Sequence, residues 1–354
     1  MPVKNKMKGL SIINKLLYLT NSICLLLLLF SYLSPYISPT FFWPIAFFGL
    51  LFPVFYIANI LFLIYWVIGL KKQLWANIII LLIGIQYIDL FFGTQPKTIE
   101  NTDSIKVLSY NVHLFNRYGW IAKADIKSEI AAFLKTEKAD ILCIQEFYTP
   151  DEIPTLNYPH KHIGLQSKKN QWHMAIYSNF PQINKATVSI KGERMNNTCI
   201  YSDLSIDTDT IRVYNIHLAS NWFKNSDYSF LQNPKKETLK KGIKGIVERM
   251  KSSYKKRAEE AQVINEHIQD SPFPIILCGD FNDTPLSYAY NTIINDLNDS
   301  FSESAKGIGQ SFVKIPALRI DYILYDKKFS SFNYKQHKQE LSDHYAISTE
   351  LAIP

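Results

Sequence analysis

Nearly all of the long apolar runs in this chain fall within its first 93 residues, and that segregation limits what the chain can fold into more than any motif does. Three runs, over residues 16–37, 43–70 and 74–92, are long enough to cross a bilayer as helices, which takes about 20 residues each. Charge is almost excluded from this part, which holds six lysines, no arginine and one acid, Asp89. Lys4, Lys6, Lys8 and Lys15 precede the first run, and Lys71 and Lys72 separate the second from the third. Basic loops stay on the cytoplasmic side, so the N-terminus and the second loop are expected there, and three spans put everything after Phe92 on the other face. Trp43, Trp66, Trp75 and Tyr36 fall near the run ends, as interfacial aromatics do. Asp89 lies close enough to the exit of the third run to reach the interface. A signal peptide is the competing reading of the first run, but two more runs follow at once and no small-residue cleavage pattern precedes Pro35. The expectation is an all-α transmembrane region of three helices in residues 1–93. Residues 94–104 then read as a linker, at most ~40 Å long when stretched.

The remainder carries 32 basic and 30 acidic residues, so only +2 of the formal +7 belongs to it. Near neutrality argues against a basic groove that tracks nucleic acid. Cys24, Cys143, Cys199 and Cys278 form no C-x-x-C pair and no Cys/His metal spacing, and read as small buried hydrophobes.

From residue 105 the pattern changes to short apolar runs, each ending in an acid, an amide or a histidine. Residues 106–110 lead into Asn111, 141–144 into Gln145-Glu146, 211–216 into His217, and 274–278 into Gly279-Asp280-Phe281-Asn282. Residues 319–325 carry Asp321, and Ser342-Asp343-His344 precede a last run at 345–351. Ile126, Ile130, Phe133 and Leu134 at helical spacing predict a helix over 125–135, and a longer one is expected over about 234–269. Strands alternating with helices and hairpins predict an α/β sandwich of packed sheets over residues 105–354. With the polar tips gathered at one end, Asn111, Glu146, His217, Asp280, Asn282, Asp321, Asp343 and His344 surround one cleft.

Carboxylates and carboxamides without thiolates suit a hard dication, and two imidazoles titrate near neutrality. That set matches the needs of hydrolysing an anionic phosphoester, in which cationic groups offset developing charge while an acid orients water. Each piece alone reads equally as a strand end, a turn or a helix cap. Six pieces in one order do not: Ser109-Tyr110-Asn111-Val112, Ile144-Gln145-Glu146, Asn215-Ile216-His217-Leu218, Gly279-Asp280-Phe281-Asn282, Arg319-Ile320-Asp321-Tyr322 and Ser342-Asp343-His344. Together they resemble the endonuclease/exonuclease/phosphatase superfamily, which includes deoxyribonuclease I, apurinic endonucleases, bacterial sphingomyelinases and inositol polyphosphate 5-phosphatases. The resemblance covers the whole part after the linker. It implies a deoxyribonuclease I-like four-layer sandwich, two packed β-sheets flanked by helices, with one Mg²⁺ cleft in which Mn²⁺ is an alternative. It also implies Glu146 as the principal metal ligand, with Asn111 and Asp343 completing or supporting the sphere, and Asp280 orienting or deprotonating the attacking water. Asn282 would hold a phosphate oxygen, and His344 would contact the phosphoryl group with Asp321 fixing its tautomer. His217 would stabilise the phosphate or protonate the leaving oxygen.

Arg257, Gln262 and Arg319 are weaker candidates, His113 is expected to pack beside the site, and His160, His162 and His173 read as surface or loop residues. Residues 221–257, aromatic and then lysine-rich, read as a solvated amphipathic helix or as a flap whose basic face meets anionic headgroups. Two functions of different class remain. One is a membrane-anchored, metal-dependent hydrolase acting outside the cytoplasm beside membrane lipid, on a phospholipid headgroup, a sugar phosphate or nucleic acid. The other is a non-catalytic, membrane-tethered binding module that keeps the fold. A degenerate member would have lost metal or histidine positions, whereas Glu146, Asp280, Asn282, Asp343 and His344 are all present.

Overall fold

The computed structural model describes residues 11–98, 104–123, 125–148, 156–164, 172–190, 198–221, 227, 230 and 239–353. Lys4, Lys6, Lys8, Lys235, Lys236 and most of the aromatic segment after Asn221 lie outside them. Helix α1 (Ile12–Leu33), capped by the Ser11 side chain, is the one helix among the described residues long and apolar enough to cross a membrane. The expected second span is not a single helix. Proline lacks an N–H and its ring clashes inside a helix, so it is tolerated only in a first turn. Pro39 opens α2 (Pro39–Phe42), Pro44 caps α3 (Ile45–Leu50), and Pro53 sits in the first turn of the 17-residue α4 (Phe52–Ile68). The third is shorter as well: α5 (Leu74–Gly84) tightens into a 3₁₀ segment, Ile85–Leu90. Three full-length transmembrane helices are thus corrected to one of span length and two shorter apolar ones.

These helices pack with polar side chains inside. Asn21 and Asn77 exchange amide hydrogen bonds of 3.0 and 2.9 Å, and Trp66 Nε1 donates to Asn21 Oδ1 at 2.8 Å. Asn59 donates to the Cys24 carbonyl, and all four of these side chains are buried, whereas Ile13, Leu16, Ile57, Leu61, Ile79 and Leu82 are exposed. After the bundle, β1 (Phe92–Gly93) pairs with Gly307 and Ile308, and the Lys97 carbonyl accepts from the Asn333 N–H, so the first residues of the expected linker are tied to the domain.

The elements that follow are β2 (Ser104–Asn111), α6 (Ile126–Glu137), β3 (Ile141–Tyr148), β4 (His160–Gly164), β5 (Trp172–Ser178), β6 (Gln182–Thr187), β7 (Cys199–Ile206) and β8 (Asp209–His217). Then come α7 (Leu239–Gln269), β9 (Ile275–Asp280), α8 (Tyr288–Ile294), β10 (Leu297–Asp299), α9 (Ser300–Ser304), β11 (Gly307–Ile308), β12 (Asp321–Asp326), β13 (Ser330–His337) and β14 (Ala346–Ala352). They make two six-stranded mixed sheets, ordered β13-β14-β2-β3-β5-β4 and β10-β12-β9-β8-β7-β6. Side chains alternate across a strand, and here both faces are covered, so the runs are continuously apolar. Val107, Ile141, Cys143 and Ile176 meet Ile200, Val213, Ile276, Cys278 and Ile323 between the sheets. Leu108, Tyr110, Leu142 and Ile144 face α6, and Tyr214, Ile216 and Leu277 face α7 and α8. The order of layers is helix, sheet, sheet, helix.

Near the polar strand ends the sheets are pinned by a buried amide pair. Gln145 Nε2 donates to Asn215 Oδ1 at 2.7 Å and to Ser109 Oγ at 3.1 Å, while Asn215 Nδ2 donates to the carbonyls of Ile144 and Ala175 at 2.9 and 3.0 Å. Replacing Asn215 by leucine strands two carbonyls and one amide away from water. Asn215→Leu is expected to lower stability by about 2–4 kcal/mol, read as a fall in thermal midpoint of the detergent-solubilised protein; an unchanged midpoint contradicts the pin.

Candidate active site

The strand ends bring the eight candidate side chains together. Parallel pairing of β2 with β3 sets Asn111 beside Gln145, next to Glu146, and parallel pairing of β8 with β9 sets His217 opposite Asp280. Antiparallel β12 then places Asp321 opposite Asp280. Gly279 allows the approach: a Cβ there would lie 2.1 Å from the Ile216 carbonyl oxygen. Glu146, where β3 shifts register against β5, and Asn282, just past the end of β9, both adopt positive φ, 48° and 52°.

Asp280 is the hub and is only 1% exposed. Its Oδ2 accepts from Asn111 Nδ2 at 3.0 Å and lies 3.8 Å from His217 Nε2 and 3.7 Å from His344 Nε2. Its Oδ1 accepts from the Asn282 N–H at 2.7 Å. Glu146 Oε1 is 3.4 Å from Asn111 Nδ2 and 3.7 Å from His217 Nε2. Asp343 Oδ1 is 4.0 Å from His344 Nε2, and His344 Nδ1 meets Asp321 Oδ2 at 2.8 Å. Asn282 Nδ2 donates to the Leu218 carbonyl, which fixes the amide beside the His217 strand.

Asn111 was expected to complete or support the metal sphere, as an amide oxygen or a donor. Its Oδ1 accepts from the His113 N–H at 3.0 Å, and because a backbone N–H can only donate, this fixes which amide atom is the oxygen. The Nδ2 is what faces Asp280 and Glu146, so Asn111 enters the cleft as a donor. His113 does more than pack: its Nδ1 lies 3.0 Å from Asp343 Oδ1, and its ring stacks on Trp120 at 3.7 Å. Its placement follows from a run of positive φ at His113, Leu114, Phe115 and Asn116, which no local sequence pattern announces.

Three weaker candidates lie elsewhere. Arg319, 1% exposed, pairs with Asp299 at 2.8 Å and donates to the Leu90 carbonyl from Nε and Nη2. Arg257 is buried against Asp283 at 3.0 Å, and Gln262 hydrogen-bonds the Tyr288 hydroxyl on the surface. Of the histidines expected at surface or loop positions, His173 is buried in β5, and His160 and His162 are half-buried in β4, His162 against the Tyr201 carbonyl.

Electrostatics separate the acids. Burial disfavours ionising Asp343, but the His113 hydrogen bond and the charges of His344 and Lys314 outweigh it and hold that carboxyl down to about 2. Burial likewise disfavours protonating His344, yet Asp321, Asp280 and Asp343 raise it well above its ordinary value. Asp280, Asp321 and His344 offer ligand atoms within 4.8 Å of one another, a spacing a metal could use. The 2.8 Å bond commits His344 Nδ1 and Asp321 Oδ2 to each other and leaves only Nε2 of that ring facing the cleft. The carboxylates left to hold a cation are Glu146, Asp280 and Asp343. Among the described residues their cationic neighbours are imidazoles and the half-exposed Lys314, whose Nζ is 3.9 Å from Asp343. Carboxylates with so little fixed positive charge around them, and no thiolate, suit a hard dication.

A paired-sheet sandwich with such a cleft at its strand ends is the architecture that the sequence resemblance implied. Residues 108–344 match the profile described as the Endonuclease/Exonuclease/phosphatase family, and the chain belongs to that family, whose members are phosphoesterases. Residues 14–91 match a second profile, described as a domain of unknown function. No curated protein sequence matches the chain. Solved structures do. An endonuclease/exonuclease/phosphatase family protein of Bacteroides thetaiotaomicron aligns over 72% of this chain and 100% of its own, with 17% identity and a TM-score of 0.52. A mannosyl-6-phosphatase of the same species aligns over 71% and 100%, with 18% identity and a TM-score of 0.51. A D. rerio TDP2 in complex with a single-strand DNA product aligns over 71% and 100%, with 13% identity and a TM-score of 0.52. At such identities the likeness is one of fold.

Gly279→Ala forces a Cβ into the Ile216 main chain. We expect it to destabilise the domain by about 2–4 kcal/mol and to separate β8 from β9, seen as lost protection of the Leu218 amide in hydrogen exchange. Wild-type exchange would contradict the close approach.

Proposed function

We propose that this chain is a Mg²⁺-dependent phosphoester hydrolase held at the membrane by its N-terminal bundle, with the catalytic domain outside the cytoplasm. The observation that carries the reading is the meeting of Asp280 with Asn111, His217 and His344 beside Glu146 and Asp343. Glu146 and Asp343 would hold the dication, with Mn²⁺ an alternative, and Asn111 would orient Glu146 and Asp280. Once bound, the metal would offset the charge that develops on the phosphoryl oxygens.

Asp280 takes the proton of the attacking water as its oxygen bonds to phosphorus. Asp321 fixes Nδ1 of His344, so Nε2 is directed at the reacting group, and the imidazolium stabilises phosphoryl charge. His217 Nε2 is buried and makes no hydrogen bond among the described residues, which leaves it available to protonate the leaving oxygen as the phosphorus–oxygen bond breaks. Asn282 is positioned to contact a non-bridging oxygen.

The bundle's construction supports membrane residence. Buried asparagines surrounded by exposed leucine and isoleucine invert the arrangement of a water-soluble helical core. A 17-residue helix is about 25 Å long, near the lower limit for a span of a core about 30 Å thick. Tyr65 donates to Asn14, so the end of α4 lies beside the start of α1, near Lys15, Lys71 and Lys72. The catalytic domain adjoins the other end, where Leu286 meets Tyr32 and Phe52. The positive-inside bias then keeps the lysine end in the cytoplasm.

With the detergent-solubilised full chain and Mg²⁺, Glu146→Gln, Asp280→Asn and His344→Ala are each expected to slow hydrolysis of bis(p-nitrophenyl) phosphate by about 10²–10⁴-fold while far-ultraviolet circular dichroism stays native. Chelation with EDTA should abolish turnover and added Mg²⁺ restore it. Unchanged rates in all three variants would reject the site. For topology, a membrane-impermeant maleimide should label Thr208→Cys and spare Lys71→Cys in intact cells; the reverse pattern would invert the orientation.

A further inference from the structure

The bundle meets the catalytic domain at one end of the two sheets, and that end holds the site. A short way beyond Asp280, Leu286 is 1% exposed and packs among Leu28, Tyr32, Phe52 and Leu81. The contact is close, since a Cβ on Gly49 would lie 2.3 Å from the Leu286 carbonyl oxygen. Just before Asp321, Arg319 donates to the Leu90 carbonyl at 3.1 and 2.8 Å. The third tie runs through α7, where Ile246, Met250 and Tyr254 pack on Ala46 and Phe47. One turn further along, Arg257 and Glu260 hold the main chain of Ala219, directly after His217 and Leu218. The opposite end of the sheet is the tight turn at Asp207 and Thr208, because Ile206 pairs with Asp209 while Cys199 pairs with Ile216.

The margin between bundle and cleft is apolar and basic. Phe92 and Ile308, which pair across β1 and β11, are 47% and 58% exposed, and Ile315, in the loop that carries Lys314 to Asp343, is 39% exposed. Beside Ile308, Lys306 and Lys338 line a pocket of about 470 Å³. Exposed apolar side chains next to lysines at the outer end of a membrane bundle match the transition from acyl chains to anionic headgroups.

We propose that the cleft opens towards the bilayer and takes a phosphoester carried by a membrane-resident amphiphile, with the scissile phosphorus at headgroup depth. The proposal rests on the phosphoesterase reading above and narrows its substrate class. A water-soluble ester would have to enter along the membrane surface, whereas an amphiphile arrives already concentrated in the plane of the site.

The test reconstitutes the full-length protein in phosphatidylcholine vesicles with Mg²⁺ and compares hexadecyl p-nitrophenyl phosphate, which resides in the bilayer, with ethyl p-nitrophenyl phosphate, which does not. Reacting group and leaving group are identical in the two. Hexadecyl and ethyl phosphate make the same comparison for monoesters. The bilayer-borne ester of either pair should be cleaved at least about tenfold faster at equal bulk concentration. Equal rates, or cleavage of the soluble ester alone, overturn the proposal and leave the phosphoesterase reading intact; no cleavage of any of the four removes both. Geometry is read independently of turnover. In a Cys24→Ser background, a fluorophore on Ile315→Cys should be quenched by headgroup-spin-labelled lipid while one on Thr208→Cys is not. Equal or reversed quenching overturns the proposal.

Discussion

Asp280 keeps a carboxylate almost wholly out of water, and the rest of the site is arranged around that fact. An ion so placed costs several kcal/mol unless donors and opposite charge compensate it. The compensation comes from parts of the chain far apart in sequence: the Asn111 amide, the Asn282 N–H, and the imidazoles of His217 and His344. Only a fold that closes both sheets can supply all of them at once. The Gln145–Asn215 amide pair performs that closure within a residue or two of the site, and Gly279 lets β9 lie against β8. Folding stability and the preorganisation of the cleft therefore draw on the same contacts.

Much of this was legible in the sequence, for a physical reason. A sandwich whose sheets are buried on both faces writes its strands as largely apolar runs, against which the polar residues at the strand ends stand out. Asn111, Glu146, His217, Asp280, Asp321 and His344 stand out against that background. Residue chemistry at strand ends also separates carboxylates that suit a hard cation from thiolates that do not. What the sequence could not show was how each polar atom is engaged. Asn111 could offer either an oxygen or an NH₂, and the choice is made by the His113 N–H, which depends on four consecutive residues at positive φ. Arg319 sits two positions from a site residue in sequence, yet its guanidinium turns to Asp299 and Leu90.

The N-terminal part shows where a hydropathy reading reaches its limit. Apolarity averaged along residues 43–70 is blind to Pro44 and Pro53, which divide the run into separate helices. It is equally blind to the partnering of Asn21 with Asn77 and Trp66, since polar residues inside an apolar run register only as lost hydropathy. Their meeting is what distinguishes a packed bundle from three independent apolar segments. Inside such a bundle an unpaired amide is costly, so the pair also restricts the register in which α1 and α5 can pack.

Helix α7 joins these two parts of the molecule. A flap or a solvated amphipathic helix was expected there; an amphipathic helix forms, and its apolar face is divided between two partners: Ile246, Met250 and Tyr254 lie on the bundle, whereas Ala261, Ile264 and Ile268 lie on the sheet. Where the two halves meet, Arg257 is buried and bonded to Asp283, to the Ala219 carbonyl and to Asn221, and Tyr322 donates to the Asp283 carbonyl. One guanidinium thus clamps the loop after His217 to the loop after Asp280. Burial disfavours ionising Asp283 while Arg257 favours it, so the clamp holds only if the charges stay paired. Because the Asp283 loop continues to Leu286, a shift of the bundle displaces a segment covalently continuous with both Asp280 and Asn282. The N-terminal helices therefore act as a wall of the catalytic domain.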